Sequence, residues 1–294
     1  MPEPSTSPPS FTQIADLFQV PVSDSVEPVK AAPRKQKGDT AEESDELGRS
    51  CLSEGDWQAA IRHFRDAVAQ RGPGDIGSRI ELAGAFEYAD QAPQALRQYQ
   101  IALRAQAEAV EPHLGMSDVY KRYSRYDDSL RELEEAIRLD PANAYYRIKL
   151  AETYRELGER KKALLAAQGA VAAKPDEAFY HYWIGDLLIQ MKRFEDALES
   201  LRAAIELSPG DDFLYLRATV AFWGAGRQAE AIKSLRLASD LDPSRLLYYG
   251  LLSILLEETG QLDEAQQDSK KAQKMDRFDH DALSRLLDEM GIEL

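Results

Sequence analysis

Leu198-Glu199-Ser200-Leu201-Arg202-Ala203-Ala204-Ile205-Glu206-Leu207-Ser208-Pro209 is the stretch that decides the fold. Leu198, Leu201 and Ile205 follow helical spacing, so they share one face with Ala204 among them. Pro209 has no amide hydrogen to donate and ends the helix. The same phrase returns along the chain. Leu130 to Asp140 precedes Pro141, Leu164 to Lys174 precedes Pro175, and Ile232 to Asp242 precedes Pro243, a constant step of 34 residues. A fixed step of this length predicts stacked copies of one helical unit rather than a single irregular core.

Small residues keep the same register. One column is Ala67, Ala102, Ala136, Ala170, Ala204, Ala238 and Ala272, and a second, seven residues earlier, runs from Ala60 to Ala265 with Ser129 as its one non-alanine member. A third column lies in the preceding helix: Gly48, Ala83, Ser117, Ala151, Gly185, Thr219 and Ser253. Helices that cross at the short end of the ~8–10 Å interaxial range need side chains this small at the crossing. Bulky residues such as Phe64, Tyr99, Leu133, Leu201 and Leu235 fill the contact column between them. Gly55, Gly158, Gly226 and Gly260 fall between the two helices of a unit, where a tight turn calls for left-handed backbone.

The period, the three small columns and the closing proline resemble the tetratricopeptide repeat. The resemblance covers residues 41–277 as seven repeats, followed by a capping helix in 278–294. It implies an all-α fold, a right-handed superhelical solenoid of helix-turn-helix repeats. There are local departures. One extra residue separates the first two repeats, and the column usually held by Trp contains Ser44, Arg79, His113, Arg147, His181, Tyr215 and Tyr249. Repeat seven has Ser269 and Arg277 where bulk and proline are expected. Leu283-Ser284-Arg285-Leu286-Leu287 belongs to the capping helix, whose expected role is to cover the open face of repeat seven.

The formal net charge is -15 over 294 residues. Such a chain repels phosphate backbones and anionic lipid surfaces, which predicts no nucleic-acid partner. The longest uncharged apolar run, Leu246 to Leu256, is well short of the ~20 residues a membrane span needs, so membrane insertion is not expected. Met1 to Ser10 lacks a basic stretch followed by an apolar one, and a single cysteine, Cys51, excludes an internal disulfide. Together these predict a cytoplasmic protein.

Residues 1–40 are rich in Pro and Ser and read as a disordered tail. One motif, at 10–20, stands out: Phe11, Ile14, Leu17 and Phe18 make an apolar helical face, and Ser10 and Gln13 have capping-box spacing. The open readings are an accidental apolar cluster, packing outside the first repeat, or docking into a groove of a partner or of this chain.

In proteins of the resembling family, the first helices of successive repeats line a concave surface that holds the ligand. Transferred by register, repeats five to seven present Phe179, Tyr182, Phe213, Leu216, Val220, Trp223, Leu247 and Ile254 there. Earlier repeats present polar positions including Lys121, Lys149 and Arg155. An apolar patch with aromatic anchors is the usual mark of a protein interface. The alternatives are core residues misplaced by one position, or a patch covered by the chain's own helix. The Lys and Asn pair of the chaperone-binding subgroup is missing, since the matching positions of repeat one are Asp45 and Arg49.

No catalytic constellation emerges, so the chain is expected not to be an enzyme. His63, His113, His181 and His280 lie in different repeats without an i, i+4 pair, and no Gly-rich phosphate loop or nucleophile elbow occurs. The cluster Asp276, Asp279, His280 and Asp281 is read as charge at a helix N-terminus rather than as metal ligands. No cofactor and no metal are expected. The function expected is that of a scaffold or adaptor that holds a partner protein, or its apolar or amphipathic segment, as assembly factor or accessory subunit. A chaperone-like carrier and a regulatory chain acting on an enzyme in trans are the other readings, and self-association through an apolar groove is a further expectation.

Overall fold

The computed structural model describes residues 40–292; the motif at Phe11, Ile14, Leu17 and Phe18 lies outside them. The described residues are helical throughout, with short turns between. Repeat one is α1 (Ala41–Ser53) and α2 (Trp57–Arg71), repeat two α3 (Gly77–Tyr88) and α4 (Ala92–Ala105), and repeat three α5 (Glu111–Arg122) and α6 (Tyr126–Leu139). These form one compact unit ending at Pro141. The second unit starts at Ala142 and holds repeat four, α7 (Ala144–Glu156) and α8 (Arg160–Ala173), and repeat five, α9 (Ala178–Gln190) and α10 (Phe194–Leu207). It continues with repeat six, α11 (Asp212–Gly224) and α12 (Gln228–Leu241), repeat seven, α13 (Leu246–Glu258) and α14 (Leu262–Ala272), and a last helix, α15 (Arg277–Met290).

The small columns do what their size predicts. Ala67, Ala102, Ala136, Ala170, Ala204 and Ala238 are completely buried. A Cβ on Gly48 would come within 2.6 Å of the Phe64 ring, and one on Gly185 within 2.7 Å of Leu201, so even a methyl group is too large at those crossings. Thr40 caps α1 through a capping box: its hydroxyl accepts from the Glu43 amide, and the Glu43 carboxylate accepts from the Thr40 amide at 2.6 Å.

The turn inside each repeat is left-handed in all seven copies. Gly55, Gly158, Gly226 and Gly260 have φ from +76° to +80°, as expected of glycine. In the other three repeats, residues with side chains take the same place: Asp90 at +56°, Ser124 at +58° and Lys192 at +57°. Each is fixed by amides reaching back to the helix end, as when Lys192 N–H donates to Ile189 O at 2.8 Å and Arg193 N–H to Leu188 O at 2.9 Å.

The column usually held by Trp has a polar use here. His181 approaches the Pro175 carbonyl at 2.8 Å, and the Tyr215 hydroxyl donates to the Pro209 carbonyl at 3.1 Å. These side chains reach back across the inter-repeat turn to its proline carbonyl. His113 instead pairs with Glu132 at 2.6 Å.

α15 departs from the expected placement. A helix continuing the stack would lie on α14, as α9 lies on α8, α11 on α10 and α13 on α12. Instead α15 packs on α11 and α13, the first helices of repeats six and seven. The composition of the two candidate surfaces explains the choice. α14 is polar, has Ser269 in the bulky column and buries only Ala265 and Ala272. α13 is apolar almost all round, and a helix of that kind must be covered on every side. α15 supplies the missing cover, so the cap spans two repeats rather than closing repeat seven alone. The Asp276 carboxylate caps its start by accepting from the Asp279 amide at 2.9 Å, and Gly291 ends it in the left-handed conformation.

Candidate functional site

Within the second unit, the second residue of each first helix forms a column: Tyr145, Phe179, Phe213 and Leu247. Three of the four stand out into solvent, at 49%, 46% and 39% exposure, and Leu247 is buried at 8%. Tyr182, half-buried, sits between two of the exposed rings, its centroid 6.3 Å from Phe179 and 5.6 Å from Phe213. Burial and the neighbouring Asp186 raise its phenol pKa above the ordinary tyrosine value. Phe179 also meets the edge of Trp183 at 6.4 Å. The Arg155 guanidinium stacks over Trp183 at 4.3 Å, and the Lys149 ammonium lies 5.7 Å from the centre of Tyr145. The result is a row of exposed aromatic rings flanked by two cationic groups.

The other expected contact residues are placed differently. Leu216 and Val220 are buried at 3% and 1%, while Trp223 and Ile254 are half-buried. They belong to one cluster with Leu283, Leu287 and Met290 of α15. Leu216, Val220 and Leu247, expected at a contact surface, are buried instead. At Gly250 of α13 the closure is tight: a Cβ there would lie 2.9 Å from Met275 and 3.2 Å from Leu283. Of the polar positions, Lys149 and Arg155 flank the aromatic row, whereas Lys121 is on α5 in the first unit.

An ion chain crosses the closed region. Arg217, 6% exposed, holds Glu289 of α15 with both terminal nitrogens, at 2.8 and 2.7 Å. The same guanidinium reaches Asp186 of α9 at 2.7 Å, and Asp186 in turn lies 3.7 Å from Arg155 and accepts from Gln190 at 2.8 Å. Burial works against the charge on Arg217, but the bonds to Glu289 and the charge of Asp186 outweigh it and hold its pKa above the ordinary arginine value. The Arg217 Nε is buried without a hydrogen-bond partner.

Two members of this surface escape the register transfer made from the sequence. Tyr145 had a signal, since it stands 34 residues before Phe179. Arg217 had a weaker one: it is the sole charged side chain of α11 after its first residue.

The first unit carries a polar counterpart. Asp45, 5% exposed, is engaged by the Arg71 guanidinium and by the Ser78 hydroxyl, which donates to it at 3.2 Å. Arg49 pairs with Glu81 at 3.3 Å. The two positions where a chaperone-tail clamp would start are thus committed to neighbours. Among the described residues no three His, Cys, Asp or Glu side chains converge as a metal site would require, and no helix is long and apolar enough to cross a membrane.

Stacked helix pairs with small residues at every crossing define an all-α helical repeat protein. Models of the tetratricopeptide repeat match residues 114–178, 148–212, 182–245 and 247–279, more than half of the sequence. The chain belongs to the tetratricopeptide repeat family, whose fold is that of a protein–protein interaction scaffold. No curated protein sequence matches it significantly. Among solved structures, the C-terminal part of a tetratricopeptide repeat protein from Cytophaga hutchinsonii superposes with a TM-score of 0.65 at 10% identity, covering 81% of this chain and 98% of that one. A tetratricopeptide repeat protein from Parabacteroides merdae gives 0.58 at 16%, covering 86% and 100%. YrrB, described as a tetratricopeptide repeat protein with an unusual peptide-binding site, gives 0.50 at 22%, covering 68% and 98%. At these identities the likeness speaks for the fold.

Proposed function

We propose that the chain is a non-catalytic adaptor that holds an apolar or amphipathic segment of a partner protein on the first helices of repeats four to six, as an assembly factor or accessory subunit of a larger complex. The observation that carries this reading is the exposed row Tyr145, Phe179 and Phe213, joined by Tyr182. Large rings 39–49% exposed, one per repeat at one register, leave more apolar surface in water than the stack requires. They do offer rigid anchors at low entropic cost, the residues that dominate interface energetics. A cytoplasmic setting is part of the proposal and rests on the lone thiol of Cys51.

The test is affinity purification with mass spectrometry on the full chain and on a Phe179→Ala/Phe213→Ala variant. Both replaced rings are exposed, so the melting midpoint should stay near that of the parent. Proteins lost from the variant alone are the expected result, with an affinity loss of roughly 2 kcal/mol or more for a true anchor pair. An identical set of partners at undiminished yield would remove this surface from the function.

A further inference from the structure

α15 covers the first helices of the last two repeats, while Phe179 of repeat five stays exposed. It lies on the first helices α11 and α13, buries Leu283, Leu287 and Met290 in the same apolar cluster that holds Leu216, Val220 and Leu247, brings Leu283 against Gly250, and fixes its position with the Glu289 pair to Arg217. Leu283, Leu287 and Met290 are spaced i, i+4, i+7, and Glu289 stands one residue before the last of them. That is how an amphipathic helix seats in a groove, with apolar knobs in a row and one charge that sets the register.

We infer that α15 is a detachable intramolecular ligand, and that the partner helix displacing it carries the same features: apolar residues at i, i+4 and i+7 with a carboxylate at i+6 to take over Arg217. The inference rests on the reading that this face takes a protein segment. Three observations support detachment. The helix does not continue the stack, so α7 to α14 of the second unit keep their mutual contacts when it leaves. Arg217 keeps Asp186 when Glu289 withdraws, so opening does not strand a buried charge. The rings of Phe179 and Phe213 are already exposed on the neighbouring first helices, giving an incoming segment a foothold beside the closed region. Tethering keeps α15 at a high effective concentration over its site, so a free helix competes only when it gains further contacts or when the latch is weakened.

The experiment uses the full chain and a labelled peptide of residues 275–292, followed by fluorescence anisotropy. Glu289→Lys puts a cation beside Arg217 and weakens the latch without altering α11 or α13. The unmodified peptide is expected to bind the E289K chain at least about tenfold more tightly than the parent chain, and a peptide carrying the same E289K change is expected to lose that gain. Hydrogen exchange on the parent chain provides the second measurement, with α15 amides exchanging about a hundredfold faster than those of α13. Equal protection of α15 and α13, or no gain in peptide binding by the E289K chain, would show α15 to be a permanent cap and overturn the inference. The outcome is separate from that of the partner test. A latch that opens while Phe179→Ala/Phe213→Ala changes no partner sinks the adaptor reading alone, and a partner lost from that variant while α15 stays closed sinks the latch alone.

Discussion

Lys192 shows how the repeat is enforced residue by residue. Its neighbours in the same column are glycines, yet it adopts φ +57° because two backbone amides and the following helix demand that turn. A left-handed residue with a Cβ costs roughly 1–2 kcal/mol, part of which glycine's greater freedom in the unfolded chain would give back. Lys192→Gly should therefore raise stability by about 0.5–1 kcal/mol, seen as a higher urea midpoint at unchanged slope. A lower midpoint would mean that the Lys192 side chain contributes more than its backbone strain costs. The left-handed position was legible in the sequence at the four glycines and hidden at Asp90, Ser124 and Lys192, because the turn is imposed by its flanking helices rather than by the residue occupying it. Register alone grouped Phe179, Tyr182 and Phe213, whose rings lie side by side in the structure. It could not show that Leu216 and Val220 are buried, because burial depends on what packs against α11, which includes α15, more than fifty residues further along the chain.

At the scale of elements, the array repeats one solution to helix crossing, and the small columns are its signature. Ala204 on α10 is completely buried at such a crossing. Ala204→Leu should cost roughly 1–3 kcal/mol by overpacking, read from thermal or urea unfolding, and an unchanged midpoint would contradict the packing described. Periodicity made every helix pair readable because each copy faces the same geometric problem. α15 faces a different one. Its amphipathic pattern says which of its faces is buried but not what buries it, and the choice between α14 and the α11–α13 surface came down to how much apolar area each leaves uncovered.

The whole molecule divides at Pro141, although the 34-residue step passes through that point without interruption. Repeat arrays gain stability from nearest neighbours, so a block of four repeats with its own terminal helix has what it needs to stand alone. A fragment of residues 142–294 is expected to fold by itself, with a helical far-ultraviolet spectrum and one cooperative urea transition. A fragment that unfolds without a cooperative transition would show that the second unit depends on the first. Candidate binding residues are also divided between the units, since the exposed aromatic row lies wholly in the second and Lys121 in the first.

The placement of α15 also has a bearing on biosynthesis. α11 and α13 leave the ribosome before the helix that covers them, at rates of about 5–20 residues per second. For a time on the order of seconds the nascent chain displays the surface of α11 and α13 on which α15 later packs. Under the proposed displacement, a partner present at the site of translation would meet that surface open in the interval, whereas one arriving later would have to dislodge the finished helix.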